Sequence, residues 1–348
     1  MDKIRLGKTG LMVTRLGFGG IPIQRLSDNE ATEVVKGCLD LGIQFLDTAN
    51  AYTTSEGCVG RAIAGKRDNL IISTKSSHRK KDGMRRHLEL SLKHLGVDYV
   101  DLYNLHNVST LEMYDQAIAP GGVLEAAQEA KQAGLIRHIG ITCHTMEPAQ
   151  KAVASGLFET VMFSFNFVGD DAKDKLLPLC RQHDVGFIVM KAMAGGVLQD
   201  ATIALKWLMQ FPDIAILLGV DKLSHMEEAV RIMNGPAALT ADEQRKIQQI
   251  KDELGPTFCH RCDYCQPCKE KVSISMVLSQ KSFHNRMPPA HVFKGWIADA
   301  LESGFRCVQC GECEPRCPYK LPIRDMIQEY TEFYSQKKAA FDRAMVNG

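Results

Sequence analysis

The sequence predicts an α/β protein, a (β/α)8 barrel of the TIM type followed by a small, mainly helical, cysteine-rich unit. Two observations predict it. Short apolar, β-branched runs alternate with amphipathic stretches through about the first 235 residues, and eight of the twelve cysteines crowd between Cys259 and Cys317. Buried parallel strands read as continuous apolar runs, and eight such β/α repeats match a closed barrel better than a doubly wound sheet.

In order along the chain, Ile4–Leu6 and Met12–Thr14 form an opening hairpin turned by Gly7-Lys8-Thr9-Gly10. The eight strand candidates are then Arg15–Phe18, Gln44–Asp47, Leu70–Thr74, Tyr99–Leu105, His138–Ile141, Thr160–Phe165, Gly186–Met190 and Ile214–Leu218. Apolar residues three and four apart predict helices between them, among them Asn29–Leu41, Met84–Leu95, Val123–Ala133, Lys173–His183 and His225–Met233. Thr240–Leu254 is a polar amphipathic helix that Gly255-Pro256 ends. These signals place the barrel at residues 1–255, a cysteine-rich domain at 256–322 and a terminal helix at 323–348. Helices from the insert between the two cysteine motifs are expected to pack around them.

The chain has 348 residues, 45% hydrophobic and 24% charged, with a net charge of +1. That balance gives no bulk attraction to nucleic acid or anionic lipid. No apolar run approaches the ~20 residues that span a bilayer, and Met1–Gly7 has no signal-peptide pattern. A cytoplasmic location is expected. Disulfides are disfavoured there, so dense cysteines point to metal.

The first motif is Cys259-x2-Cys262-x2-Cys265-x2-Cys268, and the second is Cys307-x2-Cys310-x2-Cys313-x3-Cys317-Pro318. Zinc ribbons need two cysteine pairs separated by a dozen or more residues, a gap that neither motif has. Three thiolates on one loop, with a distant fourth before proline, suit two-cluster iron–sulfur loops, in which the fourth cysteine serves the other cluster. The second motif resembles a dicluster ferredoxin segment; the first has one residue fewer and Lys269 in place of the proline. Two [4Fe–4S] clusters are expected, one on Cys259, Cys262, Cys265 and Cys317, the other on Cys268, Cys307, Cys310 and Cys313. A local set of four for each cluster is the alternative.

Four polar residues stand at the carboxyl ends of consecutive strands, where barrel enzymes keep their chemistry. These are Asp47, Tyr52 in the loop beyond it, Lys75 and His106. A phenol near pKa ~10 is a poor acid at neutral pH unless a cation favours its phenolate. Lys75 can supply that cation, Asp47 can hold Lys75, and His106 can orient a carbonyl.

Arg5-Leu6-Gly7-Lys8-Thr9-Gly10-Leu11, Leu16–Gly19, Asp47–Tyr52, Ile72–Lys75 and Asp98–His106 resemble the aldo-keto reductase superfamily as far as about residue 235. The resemblance implies reversible hydride transfer between NADP(H) or NAD(H) and a small carbonyl or alcohol. By position Tyr52 is then the general acid, Lys75 and Asp47 tune it, and His106 orients substrate. It also implies that Thr142, His144 and Asn166 face the nicotinamide and that the loop with Lys191 and Gly195 covers the pyrophosphate; Gly219, Lys222 and Ser224, before a helix start, make a ready phosphate site through backbone N–H groups and helix dipole. His225 and Ala229 stand where the family commonly has an arginine and an asparagine, and Asp221 adds a negative charge beside them.

A nicotinamide yields two electrons as hydride, whereas a four-iron cluster normally takes one, so a flavin or radical-capable substrate must split the pair. The sequence has no flavin signature. A partner flavoprotein or a quinone-like substrate would close the gap, and a flavoprotein or ferredoxin-type protein is the candidate redox partner. The other reading is an iron–sulfur electron-transfer protein whose barrel docks or senses. Arg79-Lys80-Lys81 with Arg85 and Arg86 reads as a solvated helix start, or alternatively as a site for an acidic substrate or partner. Cys143 is the one scattered cysteine near the barrel mouth.

Overall fold

A computed structural model describes residues 1–346, and the chain divides into two compact units, Met1–Thr240 and Ala241–Gly348. In the first, β1 (Lys3–Arg5) and β2 (Met12–Thr14) pair antiparallel as the predicted hairpin. Eight parallel strands follow: β3 (Leu16–Gly19), β4 (Phe45–Asp47), β5 (Ile71–Ser76), β6 (Val100–Leu105), β7 (Ile136–Cys143), β8 (Thr160–Ser164), β9 (Gly186–Met190) and β10 (Ile214–Gly219). They close in sequence order, with β10 beside β3. The predicted (β/α)8 barrel is therefore the observed fold.

Leu102, Met162, Ile188, Ala215 and Leu217 share a buried cluster with Leu6 and Val13 of the hairpin. The flanking helices bury a second, larger layer against the strands. The stretch 173–183, read as one helix, is two: Ala172–Lys175 and Leu177–Gln182. Pro178 at the start of the second cannot supply the N–H that would continue the first.

In the second unit, the helix Ala241–Leu254 precedes the first cysteine loop. The insert supplies Ile274–Val277, Gln280–Arg286, Pro289–Val292 and Gly295–Glu302. The helix Ile323–Val346 packs against them through Tyr334, which joins Phe283, Val292, Phe293, Ile297 and Leu301 in one apolar cluster.

The two cysteine loops are conformational copies. Arg261 and Gln309, each just before the second cysteine, have φ of 58° and 57°. Asp263 and Gly311, each just after it, have 60° and 77°. Lys271 and Lys320, three residues past the fourth cysteine, have 55° and 51°, and their N–H groups donate to Cys268 O and Cys317 O. Left-handed backbone is costly for residues other than glycine, asparagine and aspartate. Its recurrence at matched positions marks a demand common to both loops.

Candidate functional site

Parallel pairing brings the barrel's four predicted groups to one end. Asp47 is the last residue of β4, Lys75 lies one from the end of β5, and His106 directly follows β6. Asp47 pairs in register with Ser73, and Lys75 with Asn104. Lys75 Nζ donates to Asp47 Oδ2 at 2.5 Å and to Thr48 O at 2.6 Å, and both side chains are buried. Burial alone would lower the Lys75 ammonium; the charge of Asp47, aided by its hydrogen bond and by Tyr52, outweighs it and holds the pKa above the usual lysine value. The ammonium sits 5.0 Å from the centre of the Tyr52 ring, whose edge meets the His106 ring at 5.8 Å between centroids. Burial, with the charges of Lys75 and Arg79 added, pushes His106 down to about 3, so it is neutral at ordinary pH.

Tyr52 sits on a tight turn: its N–H donates to Ala49 O, and Ser55 N–H donates to Tyr52 O. Ser55 Oγ accepts from Thr48 Oγ1 and donates to Gly20 O, each at 2.9 Å. A Cβ on Gly20 would stand 2.6 Å from that Oγ, so the closeness of these two loops requires glycine there.

Sequence reasoning missed the support beneath Asp47. Ser73 Oγ donates to Asp47 Oδ1 at 2.7 Å, and Asn104 Nδ2 donates to Ser73 Oγ at 3.0 Å. The signal was available, since Ser73 shares the inward face of its strand with Lys75.

The eight residues assigned to the nucleotide follow β7 to β10 or lie at their carboxyl ends. Thr142 Oγ1 accepts from Asn107 N–H at 2.7 Å, and Asn166 uses its side chain on Val168 N, Gly169 N and Lys191 O. His144 N–H donates to Ser109 Oγ at 3.1 Å. Lys191, Ala194, Gly195 and Gly196 all have left-handed φ, making a tightly wound loop. Gly219 pairs with Gly19 at the strand ends, and Lys222 and Ser224 are exposed at the start of the helix Leu223–Met233. Asp221 stands 3.7 Å from Arg25, whose charge offsets its own, and 3.8 Å from His225. Ala229 is buried, facing away from any ligand at the surface.

The basic stretch divides in two. Lys81 and Arg85 pair with Glu125 and Glu129, the solvated helix start of the first reading. Arg79 instead donates to Asn107 O at 2.8 Å, beside His106. Cys143 is fully buried and its thiol is pushed up by burial.

In the second unit cysteines of both motifs come together around one apolar cluster. Cys268 lines one small cavity, of about 20 Å³, with Cys307, Cys310 and Cys313. Cys262 lies within electrostatic reach of Cys317, and Cys265 of Cys259 and Cys262. None of the twelve is in a disulfide. Among the described residues, no three His, Cys, Asp or Glu side chains converge closely enough to grip a single metal ion.

The aldo/keto reductase family profile matches residues 15–202, more than half of the chain, and the chain belongs to that family of oxidoreductases. It is 29% identical over 214 residues to an uncharacterised oxidoreductase, YqkF, of Bacillus subtilis strain 168, covering 58% of this chain and 67% of that one. It is 30% identical over 222 residues to L-galactose dehydrogenase of Arabidopsis thaliana, covering 58% and 69%. The holo form of an aldo-keto reductase from Bacillus halodurans superposes with a TM-score of 0.63 at 25% identity, over 72% of this chain and 96% of that one. The eight clustered cysteines lie outside the matched residues 15–202. Among the described residues, no helix is long and apolar enough to cross a membrane.

Proposed function

We propose that this protein transfers hydride between NADP(H) or NAD(H) and a small carbonyl or alcohol, and carries two [4Fe–4S] clusters. The observation that carries the first half is the buried Asp47–Lys75 ion pair against Tyr52, with a neutral His106 at the ring edge. Tyr52 Oη donates a proton to the carbonyl oxygen as negative charge develops there. Lys75, held charged by Asp47, stabilises the phenolate left behind. His106 orients the carbonyl through a neutral ring nitrogen and does not compete as an acid. Thr142, His144 and Asn166 form the wall for the nicotinamide, and the wound loop at Lys191 and Gly195 with Gly219, Lys222 and Ser224 holds the phosphates through backbone N–H groups. When bound, the nicotinamide supplies the hydride and each cluster accepts a single electron.

The second unit's residues fit four-iron clusters on three counts. The cavity is lined by Cys268, Cys307, Cys310 and Cys313, four thiols drawn from both motifs. The matched left-handed positions turn both loops in the same way. Arg261, between Cys259 and Cys262, has a buried Nε with no hydrogen-bond partner among the described residues; an anionic cluster compensates such a charge. The exchange of Cys268 and Cys317 between motifs is the ligand set these neighbours favour. Electrons leave or enter through a flavoprotein or ferredoxin-type partner.

Anaerobic titration with NADPH and then NADH, following nicotinamide and cluster absorbance together, tests the reading. Oxidation of either nucleotide when a carbonyl substrate is added supports it. No nucleotide binding at all would instead favour an electron-transfer protein with a docking barrel.

A further inference from the structure

Of the basic residues between Arg79 and Arg86, one is placed differently from the rest. Lys80, Arg85 and Arg86 are exposed, and Lys81 and Arg85 pair with Glu125 and Glu129. Arg79 is partly buried, and burial alone acts on its guanidinium and lowers its pKa; no carboxylate of the chain raises it back. Its Nη2 donates to Asn107 O at 2.8 Å. Asn107 is itself held firmly: its backbone is left-handed with φ of 57°, its N–H donates to Thr142 Oγ1 at 2.7 Å, and its Oδ1 accepts from Ser109 Oγ at 2.8 Å. The other terminal nitrogen, Arg79 Nη1, is shut off from solvent and has no hydrogen-bond partner among the described residues. A charged donor with neither water nor acceptor is costly, and an anion is the partner that removes the cost.

Position and charge together narrow the anion. Arg79 follows β5 and is anchored to the residue after His106, close enough for its charge to act on that ring. In the closed strand order β5 and β6 lie opposite β9 and β10, whose loops hold the nucleotide phosphates in the reading above. The anion beside Arg79 is therefore on the substrate's side of the barrel mouth. One uncovered nitrogen carrying one charge suits a carboxylate. A phosphate dianion asks for more donors than remain once Lys81 and Arg85 are paired with glutamates.

Resting on the hydride-transfer reading above, we infer that Arg79 binds a carboxylate of the substrate, which makes the substrate class oxo-acids and the matching hydroxy acids. Arg79 takes no part in proton or hydride transfer. It grips the acid end while Tyr52 and His106 meet the carbonyl end, so the substrate is held at two points and its reacting carbon is fixed between them.

The test uses the full chain and two probes, para- and meta-carboxybenzaldehyde, each compared with its uncharged methyl ester. Binding is read by calorimetry with the oxidised nucleotide, which cannot reduce them, and turnover with NADPH or NADH. The wild type should prefer the acids by both readouts. Arg79→Met should lower the acid-to-ester ratio of kcat/KM about 10–100-fold, chiefly through KM, whereas damage to the fold lowers both members of a pair alike. Arg79→Lys, which keeps the charge, should restore part of that ratio. Acids bound no better than esters by the wild type, or an unchanged ratio in Arg79→Met, would overturn the inference. Acids that bind through Arg79 but are reduced with neither nucleotide would overturn the hydride-transfer reading instead and leave the carboxylate site standing.

Discussion

The barrel fixes its candidate active groups with strands, whereas the second unit holds its cysteines on loops. Asp47, Lys75 and His106 descend from three neighbouring parallel strands, and Ser73 and Asn104 hydrogen-bond beneath them. That geometry is complete from protein atoms alone. The cysteine loops carry left-handed residues at matched positions, and Cys265, Cys313 and Cys317 are themselves part of the small apolar cluster they line. A site built by a sheet can wait for its ligand; a site whose ligands form the core depends on what binds them.

The largest effect expected from this contrast follows iron removal. Chelation under oxidising conditions should unfold the second unit while the barrel keeps its far-ultraviolet circular dichroism and a separate thermal transition. A single unchanged transition would break the contrast. Next comes Tyr52→Phe, which removes the proton donor and should reduce carbonyl turnover by about 10²–10⁴-fold, with iron content unchanged. Retention of the full rate would remove the tetrad from the account.

Lys75→Met leaves Asp47 buried without its partner and should destabilise the barrel by about 3–5 kcal/mol, read from denaturant midpoints, without shifting the second unit. Ser73 and the neighbouring strands cannot neutralise that carboxylate. The smallest effect concerns Glu159, on the barrel's exterior. Although burial alone would raise it, hydrogen bonds from His138, Lys131 and Ile139 N–H bring its carboxyl down to about 2. Its folded pKa is depressed, so its contribution is complete above the unfolded value of ~4.3 and is lost as pH falls through about 2. Glu159→Gln should therefore cost about 1–2 kcal/mol at neutral pH, and the difference from wild type should vanish towards pH ~2.

How much of this was legible beforehand divides along the same line. The strands could be read because continuous apolar runs such as Gly186–Met190 have one structural meaning when repeated eight times. Asp47, Lys75 and His106 followed from their places at strand ends. Ser73 could have been placed on the face of Lys75, but what could not be read was support that comes from register: nothing local in Asn104 tells that it meets Ser73. Nor does sequence show that Asn166 turns its side chain onto the Val168 and Gly169 N–H groups. In the second unit the spacing of eight cysteines was plain, but the matched φ values of Arg261 and Gln309 belong to the folded loops.

The most direct test of the contrast is iron and acid-labile sulfide per chain in anaerobically purified protein, with Cys310→Ala beside the wild type. Two four-iron clusters require about eight of each, falling to about half in Cys310→Ala as one cluster is lost. Zinc in place of iron, or iron content untouched by that substitution, would contradict the account of how the second unit is held together.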